Sequence, residues 1–360
     1  MVDSYTDAGI PFLRSQNIGP FRLNTDDIKF IPPDFHEKLQ KSALRPGDVA
    51  VVRTGYPGTA CVIPNSFSEL NCADLVIITP SKALNPYYLA AIFNSAWGIA
   101  SVAGKLVGVA QQHFNVGAAR ELEVSLPPRP TQDRIAGILS AYDELIENSQ
   151  RRIKILEEMA RSLYREWFVH FRFPGHEKVK LVESPLGMIP QGWEVKKIGD
   201  ILELNYGKAL KKEDRRDGMF PVYGSSGVVG THDTSLANGP GIIVGRKGNV
   251  GSVFWCDGNF FVIDTAYFVT SSLPLRFLFY VLPTLNFINS DAAVPGLSRN
   301  QAYSLETLVP PTTVLKKFCE LADSFDQHAL TLQRQVQNLR QTRDLLLPRL
   351  LSGQVNLGGN

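Results

Sequence analysis

From Arg134 onward the apolar positions of this chain fall on a helical beat. Ile135, Leu139, Tyr142, Ile146, Ser149, Ile153, Leu156, Ala160, Leu163 and Trp167 follow one another at spacings of four and three. That is an a/d seam over several heptads, with Ser149 its one polar member. A second run after Pro310-Pro311 carries Phe318, Ala322, Phe325, Ala329, Leu332, Val336, Leu339, Arg343, Leu346 and Leu350, the same positions shifted by 183. Asp143 and Asp326 hold matching places inside the two runs. The pattern predicts two long helices, 129–173 and 312–351, packed antiparallel along their seams, with a tail at 352–360. The alternative is two amphipathic helices, each folded back on its own module. A helix of about 35 residues spans roughly 50 Å.

Each helix follows a module of a different rhythm. Residues 1–128 alternate short β-rich runs with turn signals. Asp48-Val49-Ala50-Val51-Val52 and Leu75-Val76-Ile77-Ile78 read as buried strands, and Asn85-Pro86 starts a helix, Tyr87 to Asn94. Pro127-Pro128 closes that module. After a linker at 174–189, residues 190–311 repeat the scheme. Gly241-Ile242-Ile243-Val244 and Ala266-Tyr267-Phe268-Val269 are its strands, and Pro274 precedes its helix. Local motifs repeat too. Arg53-Thr54-Gly55-Tyr56-Pro57-Gly58 answers Arg246-Lys247-Gly248-Asn249-Val250-Gly251, and Leu122-Glu123 through Pro127-Pro128 answers Leu305-Glu306 through Pro310-Pro311. The expected fold class is therefore α/β (α+β): two repeated mixed α/β modules separated by two long antiparallel coiled-coil helices.

Composition changes this picture little. The chain has 360 residues, 44% hydrophobic and 20% charged, with a net charge of +2. So balanced a charge gives no bulk attraction to nucleic acid, and any such affinity rests on local patches. Cys61, Cys72, Cys256 and Cys319 form no CxxC pair and read as buried or incidental thiols in a reducing, cytoplasmic setting, without a zinc site. The apolar stretch 89–110 is too interrupted for a membrane span.

An enzyme should leave a trace of nucleophile, acid/base pair or cofactor loop, and none is evident. Gly98 to Gly104-Lys105-Leu106 has the wrong length and end for a P-loop, and no HExxH occurs. The histidines lack ligand spacing. Asn85-Pro86-Tyr87-Tyr88 resembles the Asn/Asp-Pro-Pro-Tyr loop of amino-methyltransferases, but the second proline and an upstream nucleotide loop are missing. The chain reads as non-catalytic, with no metal and no cofactor of its own.

Several segments converge on one family. Ala160-Arg161-Ser162-Leu163-Tyr164-Arg165-Glu166-Trp167-Phe168-Val169 with Phe171-Arg172-Phe173-Pro174-Gly175 resembles the end of the first shared helical region in specificity (S) subunits of type I restriction-modification systems. Ile189-Pro190-Gln191-Gly192-Trp193-Glu194 with Ile198-Gly199-Asp200 resembles the opening of a target recognition domain there. Pro221-Val222-Tyr223-Gly224-Ser225-Ser226-Gly227 fits the same domain, and 344–353 resembles the closing helix. Ile10-Pro11-Phe12-Leu13-Arg14 falls inside such a domain, so its opening strand and loop are expected to be missing from the first module.

The resemblance implies a DNA-recognition subunit that reads a bipartite double-stranded target, one half per module. Its helices would set the gap, on the scale of one to one and a half DNA turns. They would also dock two methyltransferase (M) subunits and motor-nuclease (R) subunits. S-adenosylmethionine, ATP, Mg2+, adenine methylation and cleavage would belong to those partners. A repeat-built interaction scaffold without DNA readout is the alternative, as is a subunit in which only the second module works.

Candidate DNA contacts follow from side-chain chemistry. The cation cluster around Tyr206 contains Lys208, Lys211, Lys212, Arg215 and Arg216, with the tyrosine available to stack or wedge; a solvated charged loop is the alternative. Arg53 with Tyr56, and Arg246 with Lys247, sit in the paired glycine turns, where arginine can bind guanine bidentately; a plain hairpin turn with a surface arginine is the alternative for each. Gln111, Gln112, His113 and Asn115, then Arg299 and Asn300, occupy matching polar loops. Partner-helix candidates are Tyr142, Ile146, Leu156, Leu163, Tyr164, Trp167 and Phe168 on the first helix. Those on the second are Phe325, Leu332, Leu339 and Leu346. The aromatic end, Tyr164, Trp167 and Phe168, is expected to face a partner, with packing against the adjacent domain as the alternative.

Overall fold

Period-4/3 apolar runs become helices and β-branched runs become strands in a computed structural model, which describes residues 5–106, 113–288, 296–355 and 357. The long helices are Arg129–Tyr164, 36 residues, and Thr312–Leu351, 40 residues. The first ends in a π-helical turn, Arg165–Val169. No seam position is exposed: each of the twenty is buried or half-buried. Ser149 is buried as well, at the place where the repeat has Leu332. No helix among the described residues is long and apolar enough to cross a membrane.

The chain divides into two compact units, Met1–Arg151 with Leu332–Asn360, and Arg152–Thr331. Each holds one module and a stretch of both long helices. In the first unit Arg343 Nη1 meets Asp143 Oδ1 at 2.5 Å, and Arg134 Nη1 donates to the Leu357 carbonyl at 3.4 Å. The two helices therefore run antiparallel here. Ile135, Ala136 and Leu139 share a core with Leu347, Leu350 and the module helix residues Tyr88, Ala91 and Ile92.

The first module contains a three-stranded antiparallel sheet with Val49–Val52 in the middle, flanked by Ala60–Val62 and Leu75–Ile78. Strand Ile10–Leu13 pairs in parallel with Leu70–Cys72. In the second module Gly241–Gly245 takes the middle, flanked by Val253–Cys256 and Ala266–Ser271, and Phe220–Gly224 runs parallel to Phe261–Val262. The repeat read in the sequence is thus a repeat of strand pairings. Two strands of the second module are among the departures from this symmetry. Leu202–Tyr206 lies on the outer edge of Ala266–Ser271, and Glu194–Lys197 pairs with Glu306–Val309. No counterpart of either is present among the described residues of the first unit.

The second unit corrects one expectation. Tyr164, Trp167 and Phe168 do not face outward; each is under 10% exposed. Phe168 lies 4.8 Å from Phe318, 5.1 Å from Phe277 and 5.9 Å from Trp193 by ring centroids. Tyr164 stacks on Tyr280 at 6.0 Å, and Trp193 also meets Phe171 and Phe173. The aromatics at the helix end and the tryptophan opening the next module thus form one core, because burying several large rings against one another outweighs presenting them to a partner. The apolar residues that the helices do expose are others: Leu145, Ile155, Met159, Leu321 and Leu345.

The matching aspartates both meet half-buried or buried arginines, from different elements. Asp143 meets Arg343, whose guanidinium also lies 4.9 Å from the Phe21 ring centroid. Asp326 Oδ2 lies 2.7 Å from Nη1 of Arg276, a residue of helix Leu275–Val281 that also pairs with Asp323 and covers Trp255 at 3.7 Å. Burial raises the pKa of both aspartates above the usual carboxylate value, against the lowering pull of their arginines.

Candidate nucleic-acid interface

The paired arginine turns fold alike down to single hydrogen bonds. Gly55 and Gly58 in one, Gly248 and Gly251 in the other, all have φ between +75° and +91°, which a side chain disfavours. Gly58 N–H bonds to the Val52 carbonyl and Gly251 N–H to that of Gly245, at 3.0 and 2.9 Å. A Cβ at Gly58 would press on Val102 at 3.1 Å, and one at Gly251 on Phe287 at 2.9 Å. Each turn is therefore tucked against the following part of its own module.

Each arginine turn is also joined to the polar loop that the sequence singled out separately. Phe114 N–H bonds to the Arg53 carbonyl at 3.0 Å, and Leu297 N–H to the Arg246 carbonyl at 2.7 Å. Turn and loop thus form one site in each module, which linear spacing hides. Arg53 and Arg246 are half-buried rather than free on the surface. Arg53 Nε donates to the Phe114 carbonyl at 3.3 Å and Arg246 Nη1 to the Asp264 carbonyl at 3.2 Å. Those bonds brace the loops and leave other guanidinium donors over.

The second module brings three candidates together. Strand Leu202–Tyr206 ends with Tyr206, 49% exposed and facing Tyr267 across the sheet with ring centroids 5.1 Å apart. Arg246 lies 4.9 Å and Arg299 4.7 Å from the Tyr206 ring centroid. Arg299 is fixed by a 3.0 Å bond from Nη1 to the Leu204 carbonyl. Burial, then the neighbouring Tyr206 hydroxyl, push Tyr267 up to about 12. It stays a neutral donor, bonded to the Leu297 carbonyl at 3.0 Å. Two guanidinium groups on one half-exposed ring make a cationic, planar surface suited to phosphate or base stacking. Sequence reading missed Tyr267, whose signal was its place opposite Tyr206 in a strand pair.

The remaining cations scatter. Lys208, Lys211 and Lys212 are exposed, and among the described residues none of the three has an ion-pair partner. Arg215 is committed to the Val229 carbonyl at 2.6 Å, while Arg216 pairs with Asp233 at 3.6 Å and Lys247 with Asp264 at 3.9 Å. Asn300 is exposed, without such ties among the described residues. In the first module Tyr56 is 84% exposed and His113 half-buried. Asn115 acts locally, its side-chain oxygen accepting from Ala118 N–H at 2.8 Å to cap helix Val116–Arg120. Gln111 and Gln112 lie outside the described residues. Asn85 likewise caps helix Pro86–Asn94, accepting from Tyr87 and Tyr88 N–H, which accounts for that near miss to a methyltransferase loop. The thiols are inert where buried, with Cys61 and Cys72 pushed up to about 12. No cluster of metal-ligating side chains occurs among the described residues.

Two copies of one mixed α/β module, each carrying a braced arginine turn joined to a polar loop and each followed by a long seam-packed helix, define a repeat protein with one site per repeat. The model of the type I restriction modification DNA specificity domain matches residues 9–158 and again 190–336. The chain belongs to that family. It is similar to the type I restriction enzyme MjaIX specificity subunit of Methanocaldococcus jannaschii, 27% identical over 66% of this chain and 62% of that protein. It also resembles the putative type I restriction enzyme MjaX specificity subunit of the same organism, 21% identical over 96% of this chain and 82% of the other. The crystal structure of a type I restriction-modification S subunit from M. genitalium shares the fold, with a TM-score of 0.60, 17% identity, and 97% and 91% of the two chains covered.

Proposed function

We propose that this chain is the non-catalytic specificity subunit of a cytoplasmic type I restriction-modification complex. It reads a bipartite double-stranded DNA target, one half per module, and serves as scaffold for two methyltransferase subunits and for restriction subunits. The observation that carries this reading is the duplicated site: the same turn, loop and backbone bonds recur at Arg53 and Arg246. A scaffold with no ligand to read twice has no need for two copies of a braced arginine. Tyr206, Arg246 and Arg299 form the core of the second half-site reader, flanked by Lys211 and Lys212 as phosphate contacts. Partner docking falls to the exposed apolar helix positions rather than to the buried aromatic end.

The test is half-site selective. In the assembled complex, Arg246→Ala should relax base preference in one half of the target by roughly 1–3 kcal/mol, or about 5- to 150-fold, with the other half unchanged. Arg53→Ala should do the converse. Equal loss at both halves from either variant, or no change from both, would count against the assignment.

A further inference from the structure

One strand of the second module joins the arginine turn to the lysine loop. Gly227–His232 is an outer strand of a three-stranded sheet, paired antiparallel with Phe220–Gly224. At its start, the connecting turn rests on the arginine turn. Ser225 N–H bonds to Thr265 Oγ1 at 3.4 Å, while the Thr265 carbonyl accepts from Arg246 N–H at 2.9 Å. Ser252 Oγ donates to the Ser225 carbonyl at 2.6 Å, and Asn249 Nδ2 to Ser226 Oγ at 3.3 Å. At its end, the strand holds the lysine loop. Arg215 Nη1 donates to the Val229 carbonyl at 2.6 Å, and Arg216 N–H to Nδ1 of the buried His232 at 3.1 Å. Gly230, at φ +151°, leaves room for Arg215, since a Cβ there would lie 3.2 Å from its Nη1.

Between these anchors the strand presents apolar side chains. Successive strand residues ordinarily point to opposite faces, so a sheet with one covered face exposes every second residue. Here two in a row are open, Val228 at 58% and Val229 at 38% exposure. The register accounts for it: Val228 pairs with Tyr223 and Gly230 with Val222, which makes Val229 the extra residue of a bulge. Bulges re-aim side chains, and they concentrate at sheet edges and beside functional sites. The six residues of the strand, at about 3.3 Å per step, cover roughly 16 Å, close to five base-pair rises of about 3.4 Å.

We propose that Val228 and Val229 read thymine methyl groups in the half-site of the second module, an assignment that rests on the DNA-reading function proposed above. Charge complementarity favours DNA as the occupant. Residues 208–216 hold five cations against two carboxylates, with Lys208, Lys211 and Lys212 exposed at one end of the strand, and Arg246 stands at the other. Valine has no hydrogen bond to offer a base edge. The apolar group that the major groove presents to such a side chain is the C5-methyl of thymine, and that groove admits a two-stranded ribbon. The strand thus adds A·T discrimination between an arginine suited to guanine and lysines suited to phosphate.

The test uses the chain assembled with a methyltransferase subunit and the duplex it selects from a random pool, in the half-site that responds to Arg246→Ala. Replacing thymines there one at a time by deoxyuridine deletes the methyl and keeps every hydrogen-bonding group. The parent complex should lose about fourfold in affinity at one or more positions, the worth of one buried methyl. Val228→Ala with Val229→Ala should erase that difference between the thymine and uracil duplexes. No uracil effect at any position, or the same effect in the variant, would overturn the assignment alone and leave the half-site reading standing. No sequence-selective binding by the parent complex would overturn both. Loss of methyltransferase capture by the variant would make the strand a protein contact and overturn the assignment too.

Discussion

Phe318→Ala tests whether the long second helix and the second module share one core. Phe318 is fully buried, with ring neighbours Tyr164, Trp167, Phe168 and Tyr280 at centroid distances of 4.8 to 6.3 Å. Truncating a buried phenylalanine costs about 3–5 kcal/mol. Aromatic pairs add roughly 0.5–1.5 kcal/mol each beyond the area they bury. With four rings left facing a cavity, the loss should lie in the upper part of that range, about 4–5 kcal/mol. At a urea slope of about 2 kcal/mol per M, the midpoint should fall by roughly 2 M. Tryptophan fluorescence reports the right unit: Trp167, Trp193 and Trp255 lie in 152–331, and Trp97 alone in the other. Leu321→Ala, three residues on and 43% exposed, is the control and should cost about 0.5 kcal/mol. A midpoint shift below about 0.5 M for Phe318→Ala, or an equal shift for Leu321→Ala, would refute the shared core.

Other variants probe charge and surface. Asp143 has a folded pKa raised by burial, so its contribution to stability is full below the unfolded value of about 3.9 and is lost as pH rises through the folded value. Asp143→Asn should therefore gain on the parent chain as pH climbs from 4 to 7, read as the difference in urea midpoints; a constant difference, or one of opposite slope, contradicts this. Lys211→Glu with Lys212→Glu should weaken binding to all DNA sequences alike and flatten its salt dependence, each lost phosphate contact lowering the log–log slope by about 0.9. Unchanged binding would remove that loop from the interface. Ile155 and Met159, exposed and one turn apart, should accept Ile155→Asp with Met159→Asp without loss of melting temperature while methyltransferase co-purification falls. Undiminished capture would move partner docking elsewhere.

The fold is legible in the sequence where chemistry is periodic. Seam positions 135 to 167 and 318 to 350 predict their own burial because a helix exposes one stripe in a fixed rhythm. Strands such as Val49–Val52 are legible because fully buried β-branched runs have few other homes. The aromatic helix end is misplaced by sequence alone because a heptad pattern gives a residue's face but not which element covers it. Only the distant Trp193 and Phe277 decide that Trp167 and Phe168 lie inside. The site is legible in composition but not in geometry. Arg246 and Arg299 are separate candidates more than fifty positions apart, and only the pairing of Leu202–Tyr206 with Ala266–Ser271 brings both to Tyr206. Asn115 passes for a base reader because asparagine serves caps and adenine edges equally well, and a local hydrogen bond is settled by backbone geometry rather than residue type.

The central claim, two half-site readers in one chain, is tested most directly by assembling the chain with a methyltransferase subunit and selecting bound DNA from a random pool. Two short conserved half-sites at one fixed separation are predicted. A single half-site, a palindrome, or no enriched sequence from a stable complex would contradict it.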